Sequence, residues 1–336
     1  MSADGAPRVA IVGATGLVGE TLLKILEQRR FPAASVRAFA TARSAGATVR
    51  AFGRTIPVEQ FADGTAPLAD VDIAFFAAGE EVSLASAPAA AKGALVVDKS
   101  SAFRLDPAVP LVVPEVNSEL VRATGLIANP NCSTIPIAVA LAPVDREFGL
   151  EWLSAATYQS VSGAGKEALQ EMNAQSAGSE TVRALPRRIA RNVIPQIGDF
   201  AADGASEEER KIAAELRKIL GRPGLRVSAT TVRVPVEVGH CAAIAFGTAR
   251  PAAAEELAEL FSGAPGVRFA PTGEYVTPLD AAGSDDVFVG RLRADAAHPG
   301  AYLCWIVCDN LRKGAATNAV QIAELALAAA ARSYAR

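Results

Sequence analysis

The chain is poor in cysteine and histidine, carries little net charge and has no long hydrophobic run. Four cysteines and two histidines in 336 residues are too few for a disulfide framework. Cys132, Cys241, Cys304 and Cys308 also lack the paired CxxC spacing of a zinc site, so no metal is expected. Lys, Arg, Asp or Pro interrupts every apolar run before it reaches the ~20 residues of a membrane span, and no membrane partner is expected. A formal charge of −3 lacks the basic surplus that usually accompanies nucleic-acid binding. It is also too small for a chain kept disordered by charge. The opening MSADGAPRVAIVG has no basic segment followed by an apolar one, so a cytoplasmic location is expected.

The composition, 50% hydrophobic and 21% charged, is that of a globular protein, and at roughly 150 residues per domain the length predicts two. Arg8 to Val12 reads as a strand, Gly13 to Gly19 as a glycine loop, and Glu20 to Arg30 as a helix with Leu22, Leu23 and Leu26 at helical spacing. Further strands are predicted at Ser35 to Ala40, Asp72 to Ala77 and Leu95 to Val97, with a helix in SLASAPAAAKG. Strands alternating with helices predict an α/β fold with a doubly wound parallel sheet. After residue 130 longer β-rich runs predict a second, α+β domain with a mixed sheet. The Ala-rich helix from Ala315 to Ser333 has no strand after it and is free to return to the first domain. The expected boundaries are 1–130, completed by 315–336, and 131–314.

Gly13-Ala14-Thr15-Gly16-Leu17-Val18-Gly19 has GxxGxxG spacing between a strand and a helix. Such a loop turns tightly, lets a phosphate approach the backbone, and presents it to a helix N-terminus. Packing alone is the other reason for small residues there. An NAD site usually carries an acidic residue at the end of the second strand; this one ends in Thr41-Ala42-Arg43-Ser44. An arginine flanked by hydroxyls suits a ribose 2′-phosphate, so NADP is the expected cofactor, with a solvated loop arginine as the other reading.

Cys132, in Asn129-Pro130-Asn131-Cys132-Ser133-Thr134-Ile135-Pro136, precedes a predicted helix from Ile135 to about Glu147, where a thiolate is stabilised. The N–H groups of that turn and the Asn131 amide are candidates for an oxyanion hole, and a structural thiol is the alternative. A nucleophilic thiol beside a nicotinamide implies hydride transfer through a thioester, which needs a base. His298, in DAAHPGAY, reads as a surface residue. His240, at the junction of two β-like runs, is the candidate, against a satisfied core histidine.

Taken together, GATGLVG, FATARSAG, SSAFR, VVPEVN, NPNCSTIP, YQSVSGAG, EEERK, RVPVEVGH, GRLR and DNLRKGAATNAVQ resemble, in order and essentially end to end, the aspartate-semialdehyde dehydrogenases. The resemblance implies NADPH-dependent reduction of L-4-aspartyl phosphate to L-aspartate 4-semialdehyde with release of phosphate, towards lysine, threonine, methionine and isoleucine. It implies a Rossmann domain plus a catalytic and dimerisation domain, in a homodimer. Carried over residue by residue, it makes Cys132 the nucleophile, His240 the acid/base, and Gln159 a residue that orients the substrate. Arg233 would bind the substrate carboxylate, Glu208 the ammonium, and Arg104 and Lys211 the phosphate. Gly13, Thr15, Gly16, Leu17, Val18, Gly19, Thr41, Arg43, Ser44, Ser162, Gly163, Asn310 and Asn318 would line the cofactor. Independently, Ser206 and Glu209 form a predicted capping box, and Glu208 shares the phase of Ile212 on that helix, with Lys211 beside it. Lys99, in DKSS, is a cation in an unusual place and receives no role. The competing readings are N-acetyl-glutamyl-phosphate reductase and a catalytically inactive paralogue that binds.

Overall fold

The computed structural model describes residues 6–61 and 68–334; the outermost parts of the expected first domain, 1–5 and 335–336, lie outside the described residues. The chain divides into two compact units. One runs to Pro130 and resumes at Ala315, and the other is Asn131–Gly314.

The first unit is built on β1 (Arg8–Val12), β2 (Ser35–Ala40), β3 (Thr48–Ala51), β4 (Arg54–Gln60), β5 (Ile73–Phe76), β6 (Leu95–Asp98) and β7 (Gly125–Ala128). Their order is β3-β4-β2-β1-β5-β6-β7. Every pairing is parallel except β3 with β4. That edge hairpin adds an antiparallel strand, which the sequence did not predict, to the parallel sheet expected. It turns at Phe52 and Gly53, both at positive φ (53° and 67°), the backbone that a two-residue hairpin needs, and Phe-Gly is a poor advertisement for it.

α1 (Leu17–Gln28) buries Leu22, Leu23, Ile25 and Leu26. It starts at Leu17 rather than Glu20 because Gly16, in extended backbone, is already its N-cap. α2 (Glu80–Ala90) and the short α3 (Pro114–Asn117) follow. The C-terminal helix Thr317–Tyr334 packs Val320, Ile322 and Ala323 into one core with Val9, Ile11 and Leu22, and Glu324 accepts two hydrogen bonds from Arg29 at 2.8 and 2.7 Å.

The second unit opens with α4 (Thr134–Phe148), then β8 (Leu150–Gln159), α5 (Lys166–Ser176), α6 (Glu207–Ile219), β9 (Arg226–Arg233), β10 (His240–Thr248), α7 (Ala254–Gly263), β11 (Val267–Phe269), α8 (Pro278–Ala281), β12 (Val287–Ala294) and β13 (Ala301–Cys308). The sheet is mixed, in the order β11-β12-β13-β10-β8-β9. α4, buried over most of its length despite Pro143, packs against β8, β10, β12 and β13. On β8, burial alternates: Leu153, Ala155, Thr157 and Gln159 are buried while Ser154 and Tyr158 are exposed. This period of two puts the side chain of Gln159 inside.

Candidate active site

In the first unit the glycine loop follows β1, which lies between β2 and β5. This is where the strand order reverses and where open α/β sheets bind ligands. Each glycine has its own reason. Gly13 sits at φ +92°, and a Cβ there would come within 2.6 Å of the Ala77 backbone; a Cβ on Gly19 would stand 2.2 Å from the Gly13 carbonyl oxygen. Both are demanded by packing. A Cβ on Gly16 would meet nothing closer than 3.5 Å, and as N-cap Gly16 gives α1 no side-chain hydrogen bond. The opening turn of α1, with Leu17 and Val18 half-buried and Thr15 beside them, is therefore not occupied by a capping side chain, as a phosphate cradle requires. Thr41, Arg43 and Ser44 occupy the turn after β2, and Thr41 and Arg43 are exposed.

Arg104 is buried in the same unit and donates from Nε to the Asn129 carbonyl at 3.1 Å and from Nη2 to the Lys99 carbonyl at 2.7 Å. The backbone thus aims its guanidinium. Nearby Asp98 is fully buried and accepts from Ser83 and Ser100, each at 2.6 Å; burial nonetheless pushes its carboxyl above the usual range.

In the second unit Cys132 is half-buried and stands one residue before Ser133, the N-cap of α4. The turn around it is tied to two carboxylates of α6. Asn131 donates its backbone N–H to Glu215 at 2.7 Å and its side-chain amide to both Glu208 oxygens at 3.0 Å. Gln159 donates to the same Glu208 at 3.1 Å. The oxyanion hole expected from this turn is not available as read. The N–H of Ser133 is taken by Asn131 Oδ1 at 2.7 Å, and those of Thr134 and Ile135 by the Asn131 carbonyl at 3.0 Å. The cause is local: an Asn at this position closes its own turn.

His240 begins β10 and is 2% exposed. Ser160 N–H donates to its Nδ1 at 3.1 Å. Arg233, at the end of β9, is buried and donates to the Ser160 carbonyl at 2.8 Å. Burial lowers the pKa of its guanidinium, against the charges of Cys132 and Glu208, which raise it. Cys132 and Glu208 therefore both act electrostatically on Arg233. Gly163 is the exposed spacer over this group. A Cβ on it would lie 2.9 Å from Arg233 Nη1 and 3.0 Å from His240 Nε2.

The other thiols are inert by contrast. Cys241, Cys304 and Cys308 are buried, and burial pushes Cys241 and Cys304 up to about 12.

Two family models match the chain: "Semialdehyde dehydrogenase, NAD binding domain" over residues 8–124 and "Semialdehyde dehydrogenase, dimerisation domain" over residues 141–313. The chain is 45% identical to the aspartate-semialdehyde dehydrogenase of Aquifex aeolicus over 331 residues, covering 95% of this chain and 97% of that one. The chain belongs to the aspartate-semialdehyde dehydrogenase family. The enzyme of Bacillus subtilis is 43% identical, with 94% and 96% covered. The crystal structure of aspartate semialdehyde dehydrogenase II from Vibrio cholerae, complexed with ASA, superposes with a TM-score of 0.92 at 43% identity, covering 95% and 98%. These relatives are oxidoreductases of the aspartyl branch rather than N-acetyl-glutamyl-phosphate reductases, and the first unit is an NAD(P)-binding domain of their kind.

Membership in the aspartate-semialdehyde dehydrogenase family sets these residues in a common frame. The second unit brings Asn131, Cys132, Gln159, Glu208, Arg233 and His240 together with Ser162 and Gly163. Lys211, three residues after Glu208 on α6, pairs with Glu207 at 2.7 Å, one turn back on that helix. Asn310 lies in the bed of His240, accepting from Gly239 N–H at 2.8 Å and from Ser160 Oγ at 3.0 Å. Asn318, in the first unit, is fully buried and donates to the Val112 carbonyl and to Asn129. His298 is exposed and pairs with Asp295.

Three residues escaped the sequence reading. Glu215 had a usable signal, a carboxylate in the apolar phase of α6 with Glu208, Ile212 and Ile219. Ser160 and Gly314 had none. A Cβ on Gly314 would stand 3.2 Å from the Cys132 carbonyl oxygen, which only the folded chain reveals. Among the described residues no group of His, Cys, Asp and Glu has metal-binding geometry, and no helix is long and apolar enough to cross a membrane.

Proposed function

We propose that the protein catalyses the reversible, NADPH-dependent reduction of L-4-aspartyl phosphate to L-aspartate 4-semialdehyde, as a cytoplasmic homodimer. The observation that carries this reading is the Cys132 turn, tied through Asn131 to the buried carboxylates Glu208 and Glu215, with the charges of Cys132 and Glu208 both acting on buried Arg233. The preference for NADP rests on Thr41, Arg43 and Ser44 standing where a carboxylate would otherwise meet the ribose. The dimer reading rests on the family's dimerisation domain and on the open sheet face, where exposed Tyr158 packs against Trp305 at 5.5 Å.

In the reducing direction Cys132 Sγ attacks the acyl carbon. The S–C bond forms, the C–O bond to phosphate breaks, and phosphate leaves with that electron pair. NADPH, when bound in the first unit, would supply the hydride for the resulting thioester carbon. The C–S bond then breaks, releasing the aldehyde and restoring the thiolate, while His240 lends a proton to the transient oxyanion and takes it back as that bond breaks. Arg233 holds the substrate carboxylate through a planar fork that a lysine lacks. Glu208 meets the ammonium, Gln159 orients the acyl group, and Arg104 and Lys211 take the phosphate. The remaining cofactor contacts are assigned to Ser162, Gly163, Asn310 and Asn318.

The test follows absorbance at the NADPH band with aspartate semialdehyde, phosphate and NADP, then with NAD, and then with N-acetyl-glutamate semialdehyde. Phosphate-dependent NADPH formation from the unacylated aldehyde is expected. Preference for the acylated aldehyde would overturn the substrate, and equal rates with NAD would overturn the cofactor preference.

A further inference from the structure

Ser160 touches the His240 ring twice, with opposite demands. Its backbone N–H, a fixed donor, reaches Nδ1 at 3.1 Å. That contact requires Nδ1 to be unprotonated, which in the neutral ring puts the proton on Nε2. Its Oγ lies 3.0 Å from the same Nδ1. The Gly239 N–H, at 2.8 Å, identifies Oδ1 of Asn310 as the oxygen end of that amide, and Ser160 Oγ lies 3.0 Å from it. The hydroxyl has one hydrogen, and donating it to Oδ1 leaves a lone pair facing Nδ1. One residue thus offers Nδ1 both a donor and an acceptor.

Proton exchange at Nε2 runs between the imidazolium and the neutral ring that keeps its proton on Nδ1. Both carry Nδ1–H. The Nε2–H ring only donates a hydrogen bond, since losing that proton would leave an imidazolate. We propose that Ser160 is a positioning residue for His240, whose hydroxyl, oriented by Asn310, holds the Nδ1 proton of the two forms that exchange protons at Nε2. The backbone N–H favours the third form. The inference rests on the reading of His240 as the proton-transfer group. Around the ring, Arg233 lies across Gly163, Cys241 is the chain neighbour, Cys308 is the cross-strand partner, and Glu237 is exposed. Burial keeps both thiols neutral, with Cys241 pushed up to about 12 and Cys308 well above its ordinary value. Arg233 opposes the imidazolium, and a thiolate at Cys132, which acts on both Arg233 and Cys308, would favour it. The Ser160 hydroxyl is the group at Nδ1 itself that favours it.

With two histidines in the chain, 15N-imidazole spectra of the full-length enzyme are assignable from a His298→Gln variant. In the parent protein the Nδ1 and Nε2 shifts of neutral His240 are expected to report a mixture of tautomers. In Ser160→Ala they should move to the Nε2–H pattern, and the His240 titration midpoint should fall by about one unit. kcat should fall about tenfold at unchanged KM, with Ser160→Thr restoring both readouts and the His298 resonance confirming the fold. Nδ1 and Nε2 shifts that do not move in Ser160→Ala would overturn the inference, as would a parent enzyme holding pure Nε2–H at every pH. Full turnover in His240→Asn would instead overturn the reading of His240 itself.

Discussion

In the first unit the candidate cofactor residues around β1 run consecutively from Gly13 to Gly19, and they act through a backbone whose shape two glycines protect from collision. In the second, Asn131, Gln159, Glu208, Arg233 and His240 come from five separate stretches of chain, and their side chains are held by hydrogen bonds to buried polar groups. The difference is one of tolerance. A backbone cradle is specified by what must be absent, a Cβ, whereas a side-chain site is specified by what must be present and satisfied. The first kind survives loss of any exposed side chain. The second transmits one loss to several neighbours, because Glu208 alone serves both Asn131 and Gln159.

The sharpest way to separate the two units is Cys132→Ala. Turnover should drop by about 10⁴-fold or more, while the fluorescence titration with NADPH stays as in the parent protein. Loss of NADPH binding would break the comparison. Next comes Gly163→Ala, which places a methyl group within 2.9–3.0 Å of Arg233 and His240. An expected fall of about 10²-fold in kcat/KM, at unchanged melting temperature, would identify Gly163 as a spacer for catalysis, and a fall in melting temperature alone would make it structural.

Gly19→Ala tests the backbone cradle. Its Cβ would press on the carbonyl of Gly13 at 2.2 Å, so urea unfolding should show a loss of about 1–3 kcal/mol together with weaker NADPH binding. The smallest effect belongs to the surface of the first unit, where Arg37 hydrogen-bonds Glu59 and holds its carboxyl below the usual range. With the folded value depressed, the pair's contribution is present above the ordinary carboxylate range and is lost as pH falls through the folded value. The two side chains are 38% and 42% exposed, so Glu59→Gln should cost less than about 0.5 kcal/mol at pH 7. Thermal melts at pH 7 and at pH 3 would measure it.

The capping box of α6 was legible because it is local: Ser206 and Glu209 satisfy each other within one turn, and the structure has both hydrogen bonds. The strand β1, the glycine loop and the inward phase of Glu208 were legible for the same reason. The β3–β4 hairpin was not, since its turn residues carry a positive φ that Phe-Gly does not announce. At Cys132 the helix start was legible, but the fate of its N–H groups was not. Asn131 turns inward and consumes the Ser133 donor, a choice set by the carboxylates of α6, 77 and 84 residues away.

By itself the sequence determined the family, the alternation of strands and helices and the glycine loop, and it singled out Cys132 and His240 as the candidate nucleophile and base. These follow from residue type and short-range spacing, which the chain carries wherever it folds. The tertiary structure alone decided that Glu215 anchors the Asn131 backbone, that Gly163 lies against both Arg233 and His240, and that Ser160 and Asn310 meet at the His240 ring. Those contacts join distant segments whose proximity arises only when strands pair in register and buried polar groups find partners.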